Sequence, residues 1–280
     1  MFFAGGRDMS GAAPVKTIGV LGSCLAGTTA VLLSLDYRWV RINNAAIDRS
    51  DVFVRNFVRQ APMPSRDLVE MLLAVKPEHA EAAAPIFERM FRSGVGRLEL
   101  PPATRPLIDN LANERFDVLL LDNQYDTYNI KATYRSLDGK LDFEFSFPLH
   151  WCEHFERTRD QFDFAPRLTP EESARNWAEI VRYLQNAQPQ ARIFFFCAPS
   201  ATIEHDADRR ARAEAFEPAL RAALGATAVE IVPPLFVPRA LTKLPDDPEH
   251  FDLPVYRALA GRVFSTVFMR QPADGGADAG

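Results

Sequence analysis

The sequence predicts an α/β fold: a three-layer α/β/α sandwich around a parallel sheet, flavodoxin-like in layering, with helical and β-hairpin insertions. Three observations predict it. Short apolar runs of strand length recur at residues 18–21, 116–122, 191–197 and 229–233. They are apolar nearly throughout rather than alternating, the pattern of strands covered on both faces. Between them lie segments with helical spacing of apolar residues, and strands alternating with helices indicate βαβ units. No internal repeat at solenoid periods competes with this pattern.

Residues 15–27, VKTIGVLGSCLAG, organise the rest. Residues 18–21 read as the first strand, Gly22, Ser23 and Cys24 as a tight turn, and 25–35 as a helix. Residues 36–42 alternate and read as a second strand, ended by Asn43, Asn44, Ala45 and Ala46. Helices are expected over 51–59, 67–73, 77–91 and 106–114, punctuated by Pro62, Pro64, Pro101 and Pro102. That stretch exceeds one crossover, so an insertion is expected over roughly 51–110. Residues 116–122, FDVLLLD, form the next buried strand and end in the polar Asp122, Asn123, Gln124 and Asp126. Residues 133–147 alternate around Asp138-Gly139, which suits a type I′ hairpin turn inside a second insertion over roughly 130–168. Thr169, Pro170 and Glu172 combine an N-cap, a proline at the first helical position and a capping-box glutamate, so a helix starts there and runs to about 186. A strand at 191–197, a helix at 209–224, a strand at 229–233 and a helix at 254–268 complete the chain. One α/β domain is expected over 15–270, between disordered segments at 1–14 and 271–280.

Composition narrows the function classes. The 280 residues suffice for one large domain with a substantial core. A net charge of −5 and the lack of a basic stripe argue against a nucleic-acid partner. Cys24, Cys152 and Cys197 are too few and too scattered for a disulfide framework, so reduced thiols and a cytoplasmic location are expected. The first residues lack the apolar region of a signal peptide, and no apolar run has the length of a membrane span. His150, Cys152 and His154 would share one face of a strand, but they match no zinc spacing and have no fourth ligand nearby; no metal is expected. Gly19, Gly22 and Gly27 depart from G-x-G-x-x-G, and Asp36 follows the strand too soon for a ribose ligand.

A strand, a sharp turn and a helix place one side chain at the strand's carboxyl end, where open α/β sheets put ligands and chemistry. The turn also aims N–H groups and a helix N-terminus at that side chain. Such a setting lowers a thiol's pKa and can hold an oxyanion. Ser23 and Cys24 are therefore candidate nucleophiles. The alternative for Cys24 is a small buried hydrophobe under the helix. Near the other end of the chain, Asp247 and His250 stand three apart in a proline-containing loop before a helix. At that spacing a carboxylate can orient the imidazole Nδ1–H while Nε2 faces a nucleophile. The alternative for His250 is surface decoration of a polar loop.

Residues 18–25, IGVLGSCL, resemble the first block of the SGNH (GDSL-type) hydrolase superfamily, strand-Gly-Asp-Ser-Leu. Asp247-Pro248-Glu249-His250 is similar to that family's last block, Asp-x-x-His, and the order of nucleophile, Asp and His matches as well. Aligned without a gap, Gly22-Ser23-Cys24-Leu25 puts Cys24 at the nucleophile and Ser23 at the family's Asp. The chain thus resembles the Gly-Ser-Cys and Gly-Asn-Cys branches, some of which are linked to polysaccharide biosynthesis as acyltransferases. The resemblance implies Cys24 as nucleophile, with Ser23 as second choice. The family's Gly block falls on residues 43–49 without its Gly, so an oxyanion donor would come from the backbone of the Asn44 turn. Its Asn block falls on Leu121-Asp122-Asn123-Gln124, where Asn123 or Gln124 would supply the side-chain donor, Asn123 being preferred on residue type; the alternative is that Asp122, Asn123 and Asp126 only cap the loop. The implied function is an esterase or O-acyltransferase acting on an acyl ester, acetyl first, of a carbohydrate or similar polar substrate through a Cys/Ser-His-Asp covalent mechanism. No cofactor is required, though acyl-CoA would serve as a donor, and the expected partner is a small-molecule or glycan substrate. The competing classes are a non-catalytic binding protein on the same fold and a nucleotide-binding α/β enzyme.

Overall fold

The computed structural model describes residues 15–42, 45–46, 49–59, 74–81, 83, 107–127, 131–136, 139–144, 151–153, 160, 162–204, 206–243 and 250–269. Strand β1 (Thr17–Gly22) leads into helix α1 (Cys24–Tyr37). Two short strands follow, β2 (Val40–Arg41) and β3 (Ala45–Ala46), then α2 (Ser50–Phe53), which continues as a π-helical turn over Val54–Val58. Next come α3 (Leu107–Asn113) and β4 (Val118–Asp122), then β5 (Lys131–Ser136), β6 (Gly139–Glu144) and β7 (Phe162–Ala165). The chain closes with α4 (Pro170–Ala187), β8 (Arg192–Phe196), α5 (Ala207–Leu224), β9 (Glu230–Val232) and α6 (Leu253–Met269).

The main sheet runs β2-β1-β4-β8-β9, and its pairings are parallel. β3 pairs with the carboxyl half of β1, Leu21 against Ala45 and Gly22 against Ala46. From β1 the chain moves to one side, then returns to β1's other side at β4. That reversal makes the boundary between β1 and β4 a topological switch point, with a crevice at the strands' carboxyl ends.

Alternation along the strands feeds two cores. Ile18, Val20, Val118, Leu120, Phe194 and Phe196 pack with α1 and α6. Leu21, Leu119, Leu121, Ile193 and Phe195 pack with α2, α3, α4 and α5. Cover on both faces is why these strands read as unbroken apolar runs. Helix α4 buries Ala174, Trp177, Ala178, Val181 and Leu184, a helical stripe, and Trp177 meets Phe195 edge-on with ring centroids 4.9 Å apart. Its start has the expected capping box: the Glu172 N–H donates to Thr169 Oγ1, and the Thr169 N–H donates to the Glu172 carboxylate.

Three expectations need correction. The second strand does not begin at residue 36. Asp36 and Tyr37 complete α1, because Tyr37 stacks on Phe264 of α6 at 4.0 Å, and Arg38 ends the helix in the left-handed region at φ 60°. In the hairpin, Ser136 pairs with Gly139, so Gly139 opens β6 rather than forming the centre of the turn. Finally, β7 adds a third antiparallel strand beside β5; its four residues are too short for alternation to identify. This small sheet is fixed to the α2 region by Arg49 Nη1, which donates to Pro166 O at 2.9 Å, and by Lys131 Nζ, 3.3 Å from Asp51 Oδ2. The segments expected as a helix at 67–73 and as tails at 1–14 and 271–280 lie outside the described residues, as does most of 77–91. No described helix is long and apolar enough to cross a membrane.

Asp117 ties β1 to the entry of β4. The Thr17 N–H donates to its Oδ2 at 2.9 Å, the Thr17 hydroxyl lies 3.0 Å away, and Lys16 Nζ stands 3.4 Å from Oδ1. Burial pushes this carboxyl up, but the Thr17 donors and Lys16 outweigh it and hold it below its ordinary value. A folded-state pKa held below the unfolded one stabilises the fold above the unfolded pKa, and that contribution is lost as pH falls through the folded value. Asp117→Asn should therefore be less stable than wild type near neutral pH in urea melts, with the gap closing in acid. A gap that stays constant with pH would contradict this assignment.

Candidate active site

The switch point joins a polar loop to an otherwise apolar pair of strands. β1 ends at Gly22, Ser23 becomes the N-cap of α1, and Cys24 is the helix's first residue. The Ser23 backbone is extended, and its Oγ accepts from the Leu25 N–H at 3.0 Å. The same hydroxyl donates to Gln124 Oε1 at 2.6 Å. Ser23 is thus buried, with its oxygen committed in both directions, whereas Cys24 is exposed. That exposure overturns the alternative of a buried hydrophobe at position 24.

Asp122, the last residue of β4, closes the underside of this turn. Its Oδ2 accepts from the N–H groups of Ser23 at 2.8 Å and Ala26 at 3.0 Å, and its Oδ1 accepts from the Gln124 N–H at 3.1 Å. Only glycine fits at position 22, because a Cβ there would stand 2.5 Å from Asp122 Oδ2. Burial pushes the Asp122 carboxyl up from its ordinary value, and the three N–H donors pull it back.

The next residue bridges β4 and β8. The Ala198 N–H donates to Asn123 Oδ1 at 2.9 Å. A backbone N–H requires an acceptor, so this contact orients the amide and leaves Nδ2 as a donor at the carboxyl ends of the two strands. Asp126 has a different task. It accepts from the Ser50 N–H at 2.7 Å, Ser50 Oγ at 2.6 Å, Trp177 Nε1 at 2.9 Å and Ser173 Oγ. These contacts fasten α2 and α4 to the loop after β4. Thr127 Oγ1 donates to Gln124 O at 2.7 Å and accepts from Arg209 Nε at 3.1 Å. The loop is therefore more than self-capping: Asp122 and Asp126 bind neighbouring elements. The sequence did not show those roles, nor that Gln124, a candidate donor, accepts from Ser23 through its Oε1. Their signal was four polar side chains crowded directly behind a fully apolar strand.

His250 reaches the same edge from the other end of the chain. Arg192, which opens β8, donates to Thr266 O in the last turns of α6 at 2.9 Å. Helix α6 therefore begins at the opposite, carboxyl edge of the sheet. Just before it, the Lys243 N–H donates to His250 O at 2.9 Å, the Asp252 N–H donates to Leu241 O at 2.8 Å, and Thr242 bridges to Phe251. Phe251 is fully buried in the core cluster that also holds Leu25 and Ala26. Half-buried His250 thus shares both the edge and the face of the sheet with Cys24. Asp247 and Asn44 lie outside the described residues.

The remaining thiols are buried. Burial pushes Cys152 up to about 11 and raises Cys197 as well. Among the described residues no group of three His, Cys, Asp or Glu side chains could hold a metal ion. His150 and His154 lie outside them.

No protein-family profile and no curated protein matches the sequence. Several solved structures are similar to the chain. One is a carbohydrate esterase, whose active site is described as displaying divergent catalytic and non-catalytic binding functions. It is 10% identical with a TM-score of 0.43, over 92% of this chain and 69% of that one. Another is an alpha/beta hydrolase from the metagenome of Lake Arreo, Spain, 10% identical with a TM-score of 0.43, over 89% of this chain and 94% of that one. A third is an acetyl xylan esterase from the rumen bacterium Butyrivibrio proteoclasticus, 10% identical with a TM-score of 0.40, over 91% of this chain and 64% of that one.

Ser23→Ala removes the N-cap of α1 and the hydroxyl that donates to Gln124 Oε1. It should cost about 1 kcal/mol in a denaturant melt while leaving Cys24 open to a thiol reagent. Loss of Cys24 labelling in this variant would show that the Ser23 hydroxyl also sets the exposure of Cys24.

Proposed function

We propose that the chain is an SGNH-like esterase or O-acyltransferase that cleaves or transfers an acyl group, acetyl first, on an ester of a carbohydrate or similarly polar molecule. The observation that carries this function is the exposure of Cys24 at the head of α1, on the edge and face of the sheet that His250 also occupies. Cys24 is favoured over Ser23 as nucleophile because the Ser23 oxygen is already held by Leu25 and Gln124.

In the proposed reaction the Cys24 sulfur attacks the acyl carbon as its proton passes to His250, which Asp247 orients. The Cys24 N–H, a backbone donor of the Asn44 turn and Asn123 Nδ2 hold the oxyanion. The carbon–oxygen bond then breaks, the leaving alkoxide takes the proton from His250, and the acyl group stays on sulfur as a thioester. Water or an acceptor hydroxyl attacks that thioester, giving its proton to His250, which returns it to the departing sulfur. With acyl-CoA as donor, the first step exchanges one thioester for another at little free-energy cost.

The phosphate-cradle alternative finds little support at this turn. The N–H groups of Ser23, Leu25, Ala26 and Gly27 are already engaged by Asp122 and Ser23, so a phosphate would have to displace them.

With acetylated model esters and oligosaccharides, Cys24→Ala should lower turnover about a thousandfold or more and abolish a hydroxylamine-sensitive acetyl adduct on Cys24. Turnover equal to wild type would defeat the covalent mechanism. No turnover by wild type on any acyl ester or thioester, with no adduct formed, would favour the binding protein. Asn123→Ala should reduce kcat about a hundredfold with little change in KM. An effect confined to KM would remove Asn123 from the oxyanion hole.

A further inference from the structure

We propose that Asp122 is a positioning residue that holds the Cys24 turn and keeps the Cys24 sulfur protonated until the general base removes its proton. The inference rests on Cys24 being the nucleophile. A cysteine at a helix N-terminus ordinarily has its thiolate stabilised by the first-turn N–H groups and the helix dipole. At this helix the arrangement differs. The N–H groups of Ser23 and Ala26, which bracket Cys24, converge on a single Asp122 oxygen. The place of an external anion at this helix end is taken by the chain's own carboxylate.

Burial works against the charge on Asp122, and two features favour the ionised carboxylate. Both of its oxygens receive backbone N–H donors, with Ser23 and Ala26 on one and Gln124 on the other. A neutral carboxyl would have to turn an O–H toward one of them. Gly22 leaves room for this close approach, since any Cβ would collide with Oδ2. The carboxylate is almost wholly buried, so salt screens it weakly. A negative charge fixed beneath the turn raises the cost of a second one on Cys24, and it offsets a helix-end charge of roughly half a unit.

Among the described residues, the other charged groups of this edge are Asp126 and Arg209 on the loop after β4, and Lys243 and Asp252 around His250. Asp126 is held by Ser50, Ser173 and Trp177, and Arg209 lies on Thr127, beyond Gln124. His250 is the base that the reaction uses. The resting Cys24 is then a neutral thiol, and thiolate forms only as His250 takes the proton. An exposed cysteine held in this way is also slow to react with oxidants and alkylating agents, because the thiolate is the reactive form.

The test is the pH dependence of iodoacetamide alkylation at Cys24, followed by peptide mass spectrometry, with buried Cys152 and Cys197 as slow internal controls. Wild type should titrate no lower than an ordinary thiol, about 8.5, and 1 M salt should leave that value unchanged. Asp122→Asn keeps an oxygen for the Ser23 and Ala26 N–H groups. It should lower the apparent pKa by about one unit. Alkylation at neutral pH should then rise only about threefold, because a more acidic thiol is a weaker nucleophile. Wild-type titration near 7 or below would overturn the proposal, and so would an Asp122→Asn value equal to or above wild type. Should Asp122→Asn fail to fold, the wild-type titration decides alone. Ester turnover by Cys24→Ala separately tests the nucleophile itself.

Discussion

The carboxylate of Asp122 beneath the first turn of α1 is the constraint around which the site is arranged. It joins the carboxyl ends of β1 and β4 to the start of a helix through three backbone donors. Each partner depends on the others. Gly22 must lack a side chain so that the carboxylate can approach, and Ser23 must turn so that its N–H meets the carboxylate while its hydroxyl caps Leu25. Once Ser23 is turned inward, Cys24 is turned outward. The exposure of the thiol is therefore set from below, by a residue about a hundred positions away in the chain. Burying a carboxylate is costly unless its lone pairs are filled, and here N–H groups that a helix start leaves without helical partners fill them.

The loop after β4 does the same for its surroundings. Asp122 secures α1, Asn123 secures the end of β8, and Asp126 secures α2 and α4. Gln124 and Thr127 connect these anchors to Ser23 on one side and Arg209 on the other. A short irregular segment thus gains rigidity from four regular elements. Catalytic groups held to fractions of an ångström need such support, which loops alone rarely provide. The Asp126 cluster touches Trp177, whose ring also packs on Phe195 in the core. Packing and polar support of the site consequently share residues, and damage to one reaches the other.

Much of this architecture was legible in the sequence because its signals are local. Strands covered on both faces leave apolar runs such as VLLLD and RIFFF, and Thr169 with Glu172 marks a helix start wherever it occurs. The turn at Cys24 was legible for the same reason. What failed depended on distant partners. Tyr37 extends α1 because Phe264 waits for it more than two hundred residues later, which no alternation pattern encodes. Asp122 at a strand end looks the same in sequence whether it caps its own loop or reaches another helix. His250 carries no local sign of its surroundings; its position follows from Phe251 entering the core and from Arg192 fixing the far end of α6. Asp247 and Asn44 fall outside the described residues, so the orienting carboxylate and the third oxyanion donor remain sequence expectations.

On the proposed mechanism, restraint of the thiol and capture of the acyl group act in the same direction. When sulfur attacks an ester, the tetrahedral intermediate can expel either the thiolate or the alkoxide. A thiolate is the better leaving group, so the intermediate tends to fall back to reactants unless two things change. His250 changes one by handing its proton to the alkoxide. Asp122 changes the other, because a negative charge beneath Cys24 makes the sulfur more basic and a poorer leaving group, and a stronger nucleophile once deprotonated. The cost is a low concentration of thiolate at rest, which matters little to a mechanism that removes the proton as the sulfur attacks. For a thioester donor the two leaving groups are alike, and the same bias still favours the enzyme-bound acyl group. A carboxylate at the head of this helix is therefore compatible with thiol catalysis by general base, whereas catalysis by a preformed thiolate would call for the helix end to be left positive.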